Sequence, residues 1–105
     1  VFVTDILRHR LDIIDTEPLE LERRLEVDFA PRPVSVASDR DLLIVGGWLD
    51  GFVRFFRLSD LTQLEAQAYV GPYLRDFAYD AEHGVLFAGS KCGLYRVDLD
   101  EVLGR

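Results

Sequence analysis

Leu43-Ile44-Val45-Gly46-Gly47 is an apolar run closed by two glycines, and a similar run stands at an equal distance before and after it. They are Val1-Phe2-Val3-Thr4-Asp5 and Val85-Leu86-Phe87-Ala88-Gly89. We call the spacing from Val1 to Leu43, and again from Leu43 to Val85, the repeat interval. A turn-forming loop and a second strand pattern follow each run, at residues 10–15, 52–57 and 94–99. One four-stranded β-propeller blade is ~40–45 residues long, which matches the repeat interval. The sequence therefore predicts an all-β fold, a fragment of a β-propeller.

The hydropathy of each segment predicts its place within a blade. Middle strands, covered on both faces, should be continuously apolar, as residues 42–45 and 85–88 are. An outer strand should alternate, and residues 63–70 do so with period two, residues 22–28 more weakly. Inner strands need small side chains, which suits Val34–Ser38 and Phe77–Asp80. Burial on both faces is predicted for Ile44, Val45, Phe55, Leu86 and Phe87.

These assignments predict about two and a half four-stranded antiparallel blades, with ten strands in three sheets. All 105 residues would belong to one β-propeller domain, with blade units at about 1–33, 34–76 and 77–105. A closed propeller has ~4–8 blades, so other blades or chains are expected to complete the ring and to cover the exposed faces and strand edges.

A helix over Thr16–Val27 is the alternative to an outer strand in the first unit. Its Glu, Leu and Arg residues favour helix, and Pro18 suits a first helical turn. Its leucines form no clean stripe of period 3.6, although Leu21 and Leu25 are four apart. The repeat favours the strand, because residues 64–70 occupy the same place one unit later.

Two propeller families resemble parts of the chain. Residues 1–38 are similar to the YVTN-type repeat, through Val1–Asp5, Leu11-Asp12-Ile13-Ile14-Asp15-Thr16, Val27 and Pro33-Val34-Ser35-Val36. The second unit, Asp50-Gly51-Phe52-Val53-Arg54-Phe55-Phe56-Arg57, instead resembles the Asp-Gly-x-Val-Arg-x-Trp-Asp stretch of WD40 repeats. Phe56 and Arg57 stand in place of its Trp and Asp, and the Gly-His pair of WD40 repeats is absent. Both resemblances imply a propeller, and the first also implies lactonase-like enzymes among the relatives.

Composition restricts the class of partner. With 49% hydrophobic and 30% charged residues, the chain is typical of globular proteins. Its net charge of −7 argues against a nucleic-acid partner, since such binding needs concentrated Lys and Arg. The run Leu42–Val45 is far shorter than the ~20 apolar residues of a membrane span. No motif predicts a cofactor or metal, the single Cys92 excludes an internal disulfide, and nothing indicates the cellular compartment.

The loops expected at one mouth of the propeller channel carry a distinct charge. Residues 5–10, 28–33, 46–51, 70–76 and 89–93 contain five basic residues against four acidic ones, whereas the rest of the chain is strongly acidic. A locally basic mouth predicts an anionic ligand or partner. The alternative is ordinary solvated loop charge.

Four residues of these loops are the predicted ligand-binding site. Arg32 lies between two prolines, which stiffen it, and a guanidinium can bind a carboxylate or phosphate through two hydrogen bonds. Arg75 is placed in the equivalent loop of the next unit, just before the inner strand. Trp48 and Tyr73 are expected to supply apolar contact. The alternative is that both arginines pair with Asp28 and Asp76.

The sequence thus predicts a non-catalytic scaffold or binding module for a protein or a small anionic ligand. The alternative is a propeller enzyme, a lactonase-like hydrolase or similar, with its site at the channel mouth. Candidate reactive groups such as His9, His83 and Cys92 are scattered, and they form no catalytic motif.

Overall fold

Ten short strands in three antiparallel sheets account for most of the computed structural model, which describes residues 1–104. The first sheet contains β1 (Phe2–Asp5), β2 (Arg10–Thr16) and β3 (Leu19–Glu26). The second contains β4 (Pro31–Ala37), β5 (Leu42–Gly47), β6 (Phe52–Arg57) and β7 (Gln63–Tyr69). The third contains β8 (Asp76–Asp80), β9 (Val85–Ser90) and β10 (Gly93–Asp98). The predicted all-β class is confirmed.

Helical structure within residues 1–104 is limited to two short pieces. A 3₁₀ turn spans Ser38–Arg40, and helix α1 spans Leu99–Leu103. The last strand was predicted to extend to Leu99, but β10 ends at Asp98, whose side chain accepts hydrogen bonds from the Asp100 and Glu101 amides. An aspartate in this capping position favours a helix start. Neither piece has the length or apolarity needed to cross a membrane.

Within each sheet, strands that are consecutive in the chain pair with each other, and the register recurs at the repeat interval. The equivalent pairs are Phe2 with Ile13, Ile44 with Phe55, and Leu86 with Val97. The turn after each of these first strands has a residue with positive φ at the same place: His9 at 53°, Gly51 at 73° and Gly93 at 131°. The three hairpins therefore share register and turn position.

The middle sheet is covered on both faces. All six residues of β5 are buried. Because successive side chains of a strand point to opposite faces, Leu42 and Ile44 join a core shared with the third sheet, whereas Leu43 and Val45 join a core shared with the first. Double coverage explains why this strand is apolar throughout.

Burial follows the prediction at four of the five selected positions, which have no exposed surface: Ile44, Val45, Phe55 and Leu86. Phe87 is only half-buried, so its predicted burial was wrong. Leu86 and Ala88 face the second sheet, and the alternation of β9 turns Phe87 to the other side. No further sheet among residues 1–104 covers that side, where Leu94 of the neighbouring strand is 75% exposed.

The segment for which a helix was the alternative forms strand β3. It pairs with β2 through partners that include Leu25 with Leu11 and Ile14 with Leu21. The strand begins at Leu19, ahead of the expected start at Glu22, and ends at Glu26. Most of its residues are exposed, as in an outer strand. The hydrogen bonds to β2 outweigh the helix propensity of its side chains.

Candidate functional site

A pocket of about 500 Å³ opens between three loops, and we call it the basic pocket. Its walls come from the β5–β6 turn, the β7–β8 loop and the end of β9 with the turn that follows. The lining residues are Trp48, Tyr73, Arg75, Ser90 and Lys91. Three of the four predicted site residues are thus brought together, and the fourth, Arg32, contacts Trp48 from the side of β4.

The backbone of Trp48 ties the walls of the pocket together. Its amide donates to the carbonyl of Ala30 at 2.8 Å, and its own carbonyl accepts from Tyr73 at 2.6 Å and Leu74 at 3.3 Å. Tyr73 has a φ of 58°, which is costly for a residue with a side chain and persists only where surrounding contacts enforce it. The hydrogen bond from the Tyr73 amide to the Trp48 carbonyl is such a contact, and it links the β7–β8 loop to the β5–β6 turn.

The two aromatic rings meet edge to face. Their centroids are 5.5 Å apart and their planes are inclined by 67°, a favourable geometry for an aromatic pair. The indole nitrogen of Trp48 is buried and has no hydrogen-bond partner among the described residues. The two rings form an apolar part of the pocket wall.

A cation lies over each ring. The guanidinium carbon of Arg32 is 5.7 Å from the centroid of Trp48, and the Lys91 Nζ is 5.4 Å from the centroid of Tyr73. Both distances are within the ~6 Å range of cation–π attraction. The aromatic pair therefore positions two positive charges at its two ends.

The remaining polar residues are fixed through the backbone. The amide of Arg75 donates to Gly89 at 2.9 Å, and the amide of Lys91 donates to Pro72 at 3.3 Å. The Ser90 hydroxyl donates to the carbonyl of Val70 at 2.8 Å and accepts from the Cys92 amide at 3.1 Å. These bonds join the second and third sheets at the pocket.

None of the three cations Arg32, Arg75 and Lys91 forms an ion pair with another residue in the described range 1–104. Within this range, Arg32 and Arg75 therefore do not pair with Asp28 and Asp76, as the alternative interpretation required. Within residues 1–104, no carboxylate oxygen lies within ion-pair distance of these three cations.

The other acids of these loops are engaged elsewhere. Asp5 pairs with Arg8 and Arg10, and Asp50 pairs with Arg54. Partial burial raises the pKa of Asp50, but the hydrogen bonds from Arg54 and the Phe52 amide outweigh it, so the pKa is lowered. Asp50 is therefore engaged by Arg54 and by the backbone, not by a cation of the pocket.

The predicted loop position of Arg32 was wrong. The residue was expected in a loop before the inner strand, but it is the second residue of β4. Pro31 pairs with Gly47, and the pairing of β4 with β5 then becomes irregular up to Val34, because neither flanking proline has an amide hydrogen to donate. The hydroxyl of Thr4 donates to the Arg32 carbonyl at 2.9 Å, which links this strand to the first sheet.

Two lining residues were not among the predicted site residues. They are Lys91, one of the five basic residues of the predicted mouth loops, and Ser90. A signal for Ser90 was present in the sequence, since it lies one repeat interval after Trp48 and so at the equivalent place of the next unit. No sequence signal indicated that Lys91 would lie over Tyr73.

The other candidate groups do not assemble. His83 bonds Asp80 at 2.7 Å, and Cys92 lies exposed beside Gly71. No cluster of three or more His, Cys, Asp or Glu side chains suited to a metal ion occurs within residues 1–104. The basic pocket is the place where the predicted site residues converge.

Comparison with known proteins shows the fold alone. No protein-family model matches the sequence, and no curated protein matches it. Among solved structures, the chain is similar to a functionally unknown protein from Desulfotomaculum acetoxidans DSM 771, with a TM-score of 0.78 and 9% sequence identity. The match covers 96% of this chain and 33% of that one, so this chain spans about a third of the length of that structure.

Proposed function

We propose that the chain is part of a β-propeller and that its basic pocket binds an anionic group of a small molecule or a protein partner. The three sheets are then successive blades. Three observations support this arrangement: strands follow one another in order across each sheet, hairpin registers recur at the repeat interval, and the inner strands β4 and β8 contact each other. The resemblance to YVTN-type and WD40 repeats agrees with it.

The observation that supports the binding function is a set of cations without an ion pair in residues 1–104: Arg75 and Lys91 in the pocket lining, and Arg32 beside it. A guanidinium or ammonium group without an acidic neighbour has its donors free for a ligand, and hydrogen bonds to charged groups contribute ~1.5–3 kcal/mol each. Local basicity on a chain with 19 acidic and 12 basic residues also attracts anions to this place rather than to the surface at large.

The test compares two double variants of equal charge. Arg32→Ala with Arg75→Ala removes two cations at the pocket, whereas Arg23→Ala with Arg96→Ala removes two exposed arginines from β3 and β10 that form no ion pair within residues 1–104. Calorimetric titration of the intact protein with acetate, inorganic phosphate and citrate measures affinity, and circular dichroism measures the melting temperature.

We expect at least one of the three anions to bind, and the pocket variant to weaken that binding roughly tenfold or more with little change in melting temperature. The control variant should bind as the parent does. Absence of binding by all three anions, equal loss in the two variants, or unfolding of the pocket variant alone would each contradict the proposal.

A further inference from the structure

We infer that the basic pocket takes a small, compact polyanion, a molecule with two or more carboxylate or phosphate groups. This inference rests on the proposed function and deepens it by naming the class of ligand. It distinguishes such a molecule from an anion with one charged group and from an acidic polypeptide.

The number of cations is the first reason. Lys91 and Arg75 line the pocket, and Arg32 lies beside it, over the ring of Trp48. Like charges near a protein surface repel one another, and the repulsion grows as they come closer. A ligand with one charged group would neutralise one cation and leave the others, whereas a polyanion can meet several at once.

The way in which the cations are held is the second reason. Arg32 and Lys91 each lie over an aromatic ring, so their positions are set without a carboxylate and less side-chain freedom is lost when a ligand binds. The same contacts occupy one face of Trp48 and one face of Tyr73. Cations thus cover ring faces on which a flat aromatic ligand could otherwise stack. The pocket therefore favours a ligand with several charged groups over an aromatic one.

Size and surroundings are the third reason. A volume of about 500 Å³ lies within the ~300–1,000 Å³ of typical small-molecule sites. Outside the pocket the chain is acidic, with a net charge of −7 overall; Asp50 belongs to the β5–β6 turn, and Asp76 begins β8 directly after Arg75. An acidic polypeptide running past the pocket would be repelled there, whereas a compact ion would contact the cations alone.

The test titrates the intact protein, at constant ionic strength, with two matched pairs of ions and one peptide. Citrate against acetate varies the number of carboxylates, and pyrophosphate against inorganic phosphate varies the number of phosphates. A hexaglutamate peptide represents the acidic polypeptide. We expect citrate or pyrophosphate to bind at least tenfold tighter than its partner ion and tighter than the peptide, and the better of the two identifies the chemistry of the charged groups.

Two variants assign the effect to the pocket. Lys91→Ala and Arg75→Ala should each weaken binding of the preferred polyanion at least fivefold, whereas Arg96→Ala on β10 should leave it unchanged. Lys91 is exposed in the β9–β10 turn, so its variant remains informative if Arg75→Ala lowers the melting temperature.

The outcomes separate this inference from the proposed function. If acetate or inorganic phosphate binds as tightly as its multivalent partner and still depends on Arg75 and Lys91, the inference fails while the proposed function stands. Tighter binding of the peptide than of either polyanion also overturns the inference, in favour of a protein partner. If no anion binds, both fail.

Discussion

The guanidinium of Arg32 lies over the indole ring of Trp48, 5.7 Å from the ring centroid. Arg32 comes from the start of β4 and Trp48 from the turn after β5, so the contact lies at the end of the β4–β5 pair, next to the stretch where their pairing is irregular. The guanidinium is held by an aromatic face and not by a carboxylate, which would neutralise its charge. The contact thus leaves the charge of Arg32 available.

Replacing Trp48 with Phe should change the free energy of unfolding by less than about 1 kcal/mol. The smaller ring keeps a contact with Tyr73, and the variant loses an indole N–H whose burial without a partner costs ~1–3 kcal/mol. Chemical denaturation followed by circular dichroism measures the change. Trp48→Ala is the matched control and should lose clearly more stability. Equal losses for Phe and Ala would show that the indole nitrogen has a partner in solution.

Replacing Phe55 with Ala should lower the free energy of unfolding by ~3–5 kcal/mol, as for a fully buried ring. Phe55 has no exposed surface and belongs to the core between the second and third sheets. Phe87→Ala removes the same atoms from a half-buried place on β9 and should cost clearly less. Denaturant titration of both variants checks this order, and a cost for Phe55→Ala under about 1 kcal/mol would place that ring outside the core.

Replacing Gly46 with Ala should destabilise the protein, because the added Cβ would stand 2.5 Å from Pro33, 2.6 Å from Leu74 and 2.9 Å from Phe77. Overpacking of this kind costs ~1–3 kcal/mol. Gly89→Ala is the control, since its Cβ would meet nothing within 4 Å. Thermal melting should give a lower melting temperature for Gly46→Ala than for Gly89→Ala. Similar melting temperatures would mean that Pro33, Leu74 and Phe77 move to accommodate the added Cβ.

The carboxyl of Asp60 should titrate with a pKa of about 2, because the Thr62 amide and hydroxyl and the Arg57 guanidinium stabilise its charged form. An unfolded aspartate has a pKa of ~3.9. The stability linked to Asp60 is therefore fully present above that value and is lost as the pH falls through about 2.

Carboxyl titration by NMR measures the Asp60 pKa directly. Arg57→Gln should raise it, whereas Arg96→Gln, on β10, should not. An Asp60 pKa near the unfolded value in the parent protein would show that these hydrogen bonds do not persist in solution.

The sequence by itself determined where most strands lie. Residues 42–45 are continuously apolar because both faces of β5 are covered, and residues 63–69 alternate because one face of β7 meets solvent. Such patterns can be read from the sequence alone, because the order of apolar and polar residues in a strand reflects how many of its faces are buried. The repeat interval added the place of each hairpin, which the registers reproduce.

Other features depended on contacts that no local pattern records. The half-burial of Phe87 follows because no further sheet among residues 1–104 covers that face of β9, and the start of β3 at Leu19 follows from its pairing with β2. In both cases the packing or pairing with other parts of the chain decides the burial or the strand start. The residues of the segment alone do not predict it.

The candidate site also has features that the sequence predicts and features that only the tertiary structure shows. The basic character of the loops, and the choice of Arg32, Arg75, Trp48 and Tyr73, came from composition and from the repeat. The placement of Lys91 over Tyr73, of Arg32 over Trp48 and of Ser90 in the wall came only from the tertiary structure. A pocket formed by loops of two sheets depends on how those sheets pack and on backbone bonds such as that from Tyr73 to Trp48, and these interactions join residues far apart in the chain.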